Sequence, residues 1–322
     1  MIGNQPRSRL LCALAAATAV SLSAGVGAFG ESGHRVVGRI AEIHLGDSRA
    51  MSEVRKILRP NETLGDAAVW PDVIKSAAYE DGETGPFRLK HPAHEVYHYT
   101  DLAFQAEKYD PSATGAHWLD IVRMTRECIR VLRGNSQVFS RREALRLLAH
   151  FAGDIHQPLH VGMGFVSAEG PLHFVVPVGP TGWRSSAGGN ALRYGPNDTF
   201  NLHSYWDTHA VNLAMQKEDV PAYAVRLVRE LGVLPTWRNP GDADAWPALW
   251  ATEALPLAKE VHAGVKITTY LGPDSERGSP HRWRIEQPDG YDDMARARVR
   301  VQLAKGGYRL AATLKAIWPD GK

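Results

Sequence analysis

The run His150-Phe151-Ala152-Gly153-Asp154-Ile155-His156-Gln157-Pro158-Leu159-His160 sets three histidines and an aspartate within eleven residues. His150 and Asp154 are four apart, so on a helix they project from one face a single turn apart, as two ligands of one cation must. The segment before them supports a helix. From Arg141 to Ala149 it is rich in good helix formers, and Ser140 stands three residues ahead of Glu143 as an N-cap. Pro158 should end or kink that helix, leaving His160 on a bend where it can face a different ion. His156 falls on the opposite side of the helical wheel and is read as supporting or structural.

A second group has the same form. In Asn201-Leu202-His203-Ser204-Tyr205-Trp206-Asp207 a histidine and an aspartate again stand at i and i+4, ahead of the apolar run Ala210 to Met215. One such pair is as a rule a helix-surface hydrogen bond or a satisfied core histidine. Two pairs, joined by His160, favour a metal site. Nitrogen and oxygen ligands without thiolate suit zinc at an open, catalytic position better than a closed structural one.

Residues 1–28 read as a secretory signal peptide. Arg7 and Arg9 precede an Ala/Leu-rich run from Leu10 to about Val20, and Val26-Gly27-Ala28 fits a cleavage site after Ala28. The run is short and alanine-rich for a permanent anchor, the competing reading. The full chain carries 37 basic and 35 acidic side chains; cleavage removes Arg7 and Arg9 and no acid, leaving 35 of each. A neutral mature chain advertises no basic stripe for nucleic acid, so a polyanion would have to be drawn by something else. Of the two cysteines only Cys128 survives cleavage, so no intramolecular disulfide can form. The expected location is secreted or periplasmic. Two glycosylation sequons, at Asn61 and Asn197, matter only in a eukaryotic secretory pathway.

Residues 29–322 are long enough for one domain with a full core, and no repeat or linker divides them. The periodicity is all-α. Helices are expected over Gly33 to Leu58 with a break at Gly46-Asp47, Leu64 to Ala78, Trp118 to Arg133, Arg141 to His156, His203 to Lys217, Pro221 to Leu231, Ala245 to Val265 and Tyr291 to Ile317. Gly162 to Phe200, rich in Gly, Pro and Ser with a short apolar run at Phe174 to Val178, reads as a long loop or ribbon that shapes a site.

Together these pieces resemble a known family. Gly33-His34 soon after the mature N-terminus, Trp70-Pro71-Asp72, His98-Tyr99 before Asp101, the His150–His160 run, Gly188-Gly189-Asn190, the Asn201–Asp207 run and Ala304-Lys-Gly-Gly-Tyr-Arg-Leu-Ala311 are similar in order and spacing to the zinc-dependent single-strand nucleases. These are the type I nucleases of fungi, plants and bacteria, in a superfamily with zinc phospholipase C. The resemblance implies a mainly helical domain with three zinc ions in a cleft. Carried over residue by residue, the first ion takes Asp72, His98, His150 and Asp154. The second takes His160, His203 and Asp207. The third takes His34, Asp154 as a bridge, and the amine and carbonyl of Phe29, the first residue after the proposed cut. Two departures stand out: Phe29 replaces the family's usual tryptophan, and Ser185-Ser186-Ala187 precedes Gly188 where an aspartate is common.

Three zinc ions and the carboxylates of Asp72, Asp154 and Asp207 leave roughly three net positive charges, which would draw phosphodiester to an otherwise neutral chain. Metal at such a site lowers the pKa of a water and neutralises the departing 3′ oxygen, so 5′-phosphate products are expected. The resemblance gives Lys75 a phosphate contact, Tyr99 a stacked base and Asp101 a base edge. Stacking requires a base already out of a duplex, hence single-stranded DNA and RNA as substrates, with 3′-nucleotidase activity among the family's reactions. Lys75 also reads as an ordinary solvated lysine, Tyr99 as a core aromatic, and Asn190 equally as a phosphate-positioning amide or a turn residue. Trp70 and Trp206, beside ligands, should support the metal shell, and Trp183 in the long loop is suspected of touching substrate. His44, His91, His94, His117, His173, His209, His262 and His281 have no such partners in sequence and stay unassigned. A monomer without stable protein or membrane partners is expected. The competing functions are a zinc phospholipase C and a secreted zinc-binding module without catalysis.

Overall fold

A computed structural model of the chain describes residues 29–76, 78–176, 182–273 and 281–321; the proposed leader, residues 1–28, lies outside them. The chain is mainly helical, as the periodicity requires. α1 (Gly30–Leu45) and α2 (Arg49–Ile57) are parted at Gly46, whose φ of 52° needs glycine, and Ser48 caps α2 by accepting from the Met51 N–H. α3 (Leu64–Val73) opens on a Thr63/Asp66 capping box and stops short of the expected Ala78. α4 (Thr84–Lys90) is an added short helix. α5 (Ile121–Leu132) is capped by Asp120, and α6 (Arg141–Asp154) by the Ser140/Glu143 box.

The expected single helix from His203 is interrupted: α7 (Leu202–Ser204) passes through a π-helical turn at Tyr205–His209 into α8 (Ala210–Met215). The wider turn changes the angle at which Asp207 leaves the helix relative to His203. α9 (Val220–Leu231), α10 (Trp246–Ala263) and α11 (Tyr291–Ile317) complete the set.

α1 is the hub, lying against α3, α9 and α11, while α3 and α5 pack on α6. Two glycines permit the close crossings: a Cβ on Gly38 would meet the Gly65 nitrogen at 2.4 Å, and one on Gly307 would meet Ile40 Cβ at 2.5 Å. The α1–α3 contact at Gly38 brings His34 and Asp72 together, and Gly153 on α6, whose added Cβ would lie 2.9 Å from His34 Nδ1, lets His150 and Asp154 close against them.

The stretch expected as loop or ribbon folds into short strands. β1 (Leu102–Ala103) runs parallel to β2 (Gly162–Met163). β3 (Phe165–Ser167) lies between β4 (Phe174–Val175) and β5 (Trp183–Ser185). β6 (Leu192–Tyr194) and β7 (Phe200–Asn201) join a hairpin of β8 (Lys266–Gly272) and β9 (Arg282–Glu286) in the order β7-β6-β9-β8. That hairpin was not anticipated. Its signal is one short alternation, Trp283 and Ile285 buried against exposed Arg284 and Glu286. No described helix is long and apolar enough to cross a membrane.

Candidate metal centre

Three groups of side chains converge where these helices meet: His34, His150 and Asp154; Asp72, His98 and His150; and His160, His203 and Asp207. The ligand atoms within each group lie within 4.8 Å of one another. All eight side chains named for zinc from the sequence are therefore brought together, although they come from four helices and three turns.

His150 is the member common to the first two groups, and beside it Asp154 touches side chains of both. Asp154 Oδ2 lies 2.9 Å from His150 Nε2 and 3.1 Å from His98 Nδ1, and its Oδ1 lies 3.3 Å from His34 Nε2. Asp72 reaches the same point, 3.7 Å from His150 Nε2 and 3.8 Å from His34 Nε2. The His34 and His150 rings stack at 3.8 Å. His150 Nδ1 donates to the Ala68 carbonyl at 2.6 Å, which leaves Nε2 with its lone pair pointed inward. In the third group His160 Nδ1 donates to the His98 carbonyl and His203 Nδ1 to the Gly188 carbonyl, both at 2.8 Å. Their Nε2 atoms face Asp207 at 3.6 and 3.3 Å. Asp207 is itself fixed by the Gln157 side-chain amide, which donates to Oδ1 at 2.7 Å.

The residues fit a metal on physical grounds. His34 Nε2, Asp154 Oδ1, His160 Nε2 and Asp207 Oδ2 are buried without a hydrogen-bond partner. Four unsatisfied polar atoms aimed at common points would be costly in a finished core, and a cation satisfies them together. The electrostatics agree. Burial pushes His98 down to about 3 and also lowers His34 and His203, so those imidazoles present lone pairs at neutral pH. Burial would raise Asp72 and Asp154, but Lys75 and the surrounding histidines hold Asp72 well below the carboxylate range, and His150 and His160 do the same for Asp154.

Phe29 sits fully buried at the start of α1, and its backbone N–H donates to Asp207 Oδ1 at 3.3 Å. The backbone of the residue expected to begin the mature chain thus lies inside the centre, on the Asp207 side. Lys75 lies on the turn after α3, not on the helix itself, and its ammonium donates to Asp72 Oδ1 at 2.8 Å. Asn190 is exposed, and its amide donates to the Ala187 carbonyl at 3.1 Å, the turn-holding arrangement of the two read from sequence.

Tyr99 and Asp101 line a cleft of about 590 Å³ together with Val96, Gly115, Trp183 and Arg184. The cleft abuts the metal groups: a Cβ on Gly188 would lie 3.5 Å from His203 Nδ1 and 3.8 Å from Asp101 Oδ1. Burial raises Asp101 to about 6, against the charge of His160. Trp183 lies edge-on to Phe165, with ring centroids 4.5 Å apart. Trp206 donates its indole N–H to the Tyr291 hydroxyl at 3.0 Å, and Trp70 packs under the Arg146 guanidinium, so both brace ligand-bearing segments. His156 bonds the Ala152 carbonyl and faces Arg309, a supporting role. Sequence reasoning missed Gln157, Gly115 and the Ala68 carbonyl, and it quoted Gly188 in the Gly-Gly-Asn motif without the role of its carbonyl toward His203.

A mainly helical chain that gathers five histidines and three carboxylates beside a cleft, with unsatisfied atoms turned inward, has the build of a metal-dependent hydrolase. Comparison with known proteins narrows the class. The model of the S1/P1 Nuclease family matches residues 29–319. Endonuclease 4 of Arabidopsis thaliana is 28% identical over 316 residues, covering 90% of this chain and 89% of its own. Endonuclease 1 of the same plant is 28% identical over 97% of this chain and 94% of its own, and Nuclease S1 of Aspergillus oryzae 25% identical over 90% and 91%. The chain belongs to the S1/P1 nuclease family and is a nuclease. The family is zinc-dependent, and the clustered histidines and aspartates are groups that can hold such an ion.

Proposed function

We propose that the protein is a zinc-dependent endonuclease of single-stranded DNA and RNA, secreted or periplasmic after cleavage behind Ala28, working as a monomer over residues 29–322. The observation that carries this reading is the adjacency of the metal groups to the cleft holding Tyr99 and Asp101. Asp72, His98, His150 and Asp154 would hold one ion; His160, His203 and Asp207 a second; His34, Asp154 and the Phe29 backbone a third. Bound zinc supplies a water of lowered pKa and positive charge for the departing 3′ oxygen.

The chain's own groups do the rest. Burial works against the Lys75 ammonium, but Asp72 holds its proton on, so it stays cationic beside the metal groups, where it is available to a phosphate oxygen. Tyr99 offers a stacking face, and Asp101 at the cleft wall reads a base edge. Base stacking contributes about 1–3 kcal/mol per base, and a duplex would have to give up its own stacking first, which favours single strands. Gln157 keeps Asp207 oriented, and the Ala68 and Gly188 carbonyls fix the tautomers of His150 and His203.

The test is release of acid-soluble nucleotides from single-stranded DNA, RNA and duplex DNA, with 3′-mononucleotides and phosphatidylcholine alongside, before and after chelation and with zinc restored. Zinc-restorable release of 5′-phosphate products, faster from single strands, is expected. Equal rates on duplex and single strands would overturn the strand preference, and hydrolysis of the phospholipid alone would move the protein to the phospholipase branch.

A further inference from the structure

We infer that Ser186 and His262 form a buried pair that positions the His203 imidazole for the cation shared by His160, His203 and Asp207. The inference rests on the ligand assignment proposed above and concerns residues outside it. His262 lies on α10, fully buried, and its Nδ1 donates to the Ala258 carbonyl at 2.8 Å. That bond fixes the tautomer and leaves Nε2 as an acceptor. The Ser186 hydroxyl, also fully buried, donates to Nε2 at 3.1 Å. The Gly164 N–H completes the triangle, 3.0 Å from Ser186 Oγ and 3.1 Å from His262 Nε2. Gly164 tolerates no side chain there: a Cβ would lie 2.7 Å from His262 Cδ2 and 2.8 Å from both Phe104 and Phe174.

The pair does not have the build of a serine nucleophile. Its two neighbours, Ser185 and Ala187, line the cleft, while Ser186 turns into the protein. The His262 Nδ1 faces a backbone carbonyl and no carboxylate. What the pair holds is the turn that follows. The Ser186 N–H donates to the Gly164 carbonyl at 2.9 Å, and its carbonyl accepts from Gly189 at 3.0 Å and Ala191 at 3.1 Å. Inside that turn Gly188, at φ 57°, presents the carbonyl that accepts His203 Nδ1–H at 2.8 Å. A Cβ on Gly188 would stand 2.7 Å from the Leu159 carbonyl oxygen, so the turn is pressed against the chain leading into His160. The line of restraint runs from α10 through Ser186 to Gly188, and from Gly188 to the ring of His203. Burial lowers His262 to about 4, which keeps the acceptor available at neutral pH.

Outer hydrogen-bond partners of a ligating histidine typically change metal affinity 10- to 100-fold when removed. The test is zinc content and chelator-competition affinity of the processed protein and of Ser186→Ala, His262→Phe and His262→Gln, with thermal unfolding of each metal-free form. One of three ions should bind roughly tenfold or more weakly in Ser186→Ala and His262→Phe, with the other two unchanged. His262→Gln should restore it, since the glutamine oxygen can take the place of Nε2. A role confined to folding would lower the metal-free melting temperature and leave zinc affinity alone, and that result overturns the inference. So does wild-type affinity for all three ions in both variants. Should His262→Phe not fold, Ser186→Ala, which removes a single oxygen, carries the test. A wild-type protein that binds no zinc would overturn the ligand assignment itself, a separate outcome from three ions bound and unaffected.

Discussion

Gly115 offers a sharp test of how the cleft is built, because replacing it with alanine changes one methyl group outside every ligand group. Its φ is 94°, and an added Cβ would lie 1.7 Å from the Asp101 carbonyl oxygen and 2.5 Å from its carbon. Non-bonded carbon contacts are comfortable near roughly 3.5 Å, so the two segments would have to part by close to 2 Å. The separation breaks the 3.1 Å hydrogen bond from the Asp101 N–H to the Gly115 carbonyl. The positive φ costs about 1–2 kcal/mol, the lost hydrogen bond about 1 kcal/mol and the forced displacement about 1–3 kcal/mol. The total is on the order of 4 kcal/mol, which for a chain of this size lowers the melting temperature by roughly 10 °C. The displaced segment includes Tyr99 and Asp101, so KM on a single-stranded oligonucleotide should rise about tenfold, the equivalent of one stacked base. Differential scanning calorimetry and steady-state kinetics on Gly115→Ala read both effects. A variant with wild-type melting temperature and KM would refute the reasoning.

Lys75→Met should lower kcat about 100-fold, the usual loss when a positioned donor to a charged transition state is removed, and leave zinc content unchanged; kinetics with parallel metal analysis would show it, and an unaltered kcat would remove Lys75 from the chemistry. One additional residue ahead of Phe29 in the processed chain should cost the third ion and most of the activity, since Phe29 is fully buried beside Asp207; full activity with the extension verified by intact mass would sink the N-terminal ligand. The metal-free protein should be most stable near pH 6.5. Below it, the unfolded chain protonates His262 while burial keeps the folded one neutral until about 4, so stability present above 6.5 is lost on acidification, about 3 kcal/mol in all. Above it, His160 contributes in the opposite sense: burial would lower it, but Asp154 and Asp207 raise it to about 9, so its contribution is lost as pH rises through 9. A melting temperature that climbs steadily in either direction from pH 6.5 would contradict these assignments.

Short-range patterns were legible because a helix turns a spacing into a shared face. His150 with Asp154, the Ser140/Glu143 box and the long C-terminal helix Tyr291–Ile317 all follow from local geometry. The π-turn at Tyr205–His209 was not, since one inserted residue leaves the apolar pattern around it intact. Nor were the strands, whose runs of two to seven residues are too short for alternation to separate them from loop.

The sequence by itself determined the helical class and, through residue type and local spacing, His150, Asp154, His160, His203 and Asp207 as candidate ligands; Phe29, His34, Asp72 and His98 followed only from the resemblance to the family. That His34, Asp72 and His150 share a point depends on the close approaches at Gly38–Gly65 and Gly153–His34, contacts between residues far apart in the chain. Likewise the Ala68 and Gly188 carbonyls, which choose the tautomers of His150 and His203, and the Ser186–His262 pair behind them are backbone and side-chain meetings that no spacing encodes. Only the packed tertiary structure decides them, since hydrogen-bond direction and close approach are settled when the elements dock.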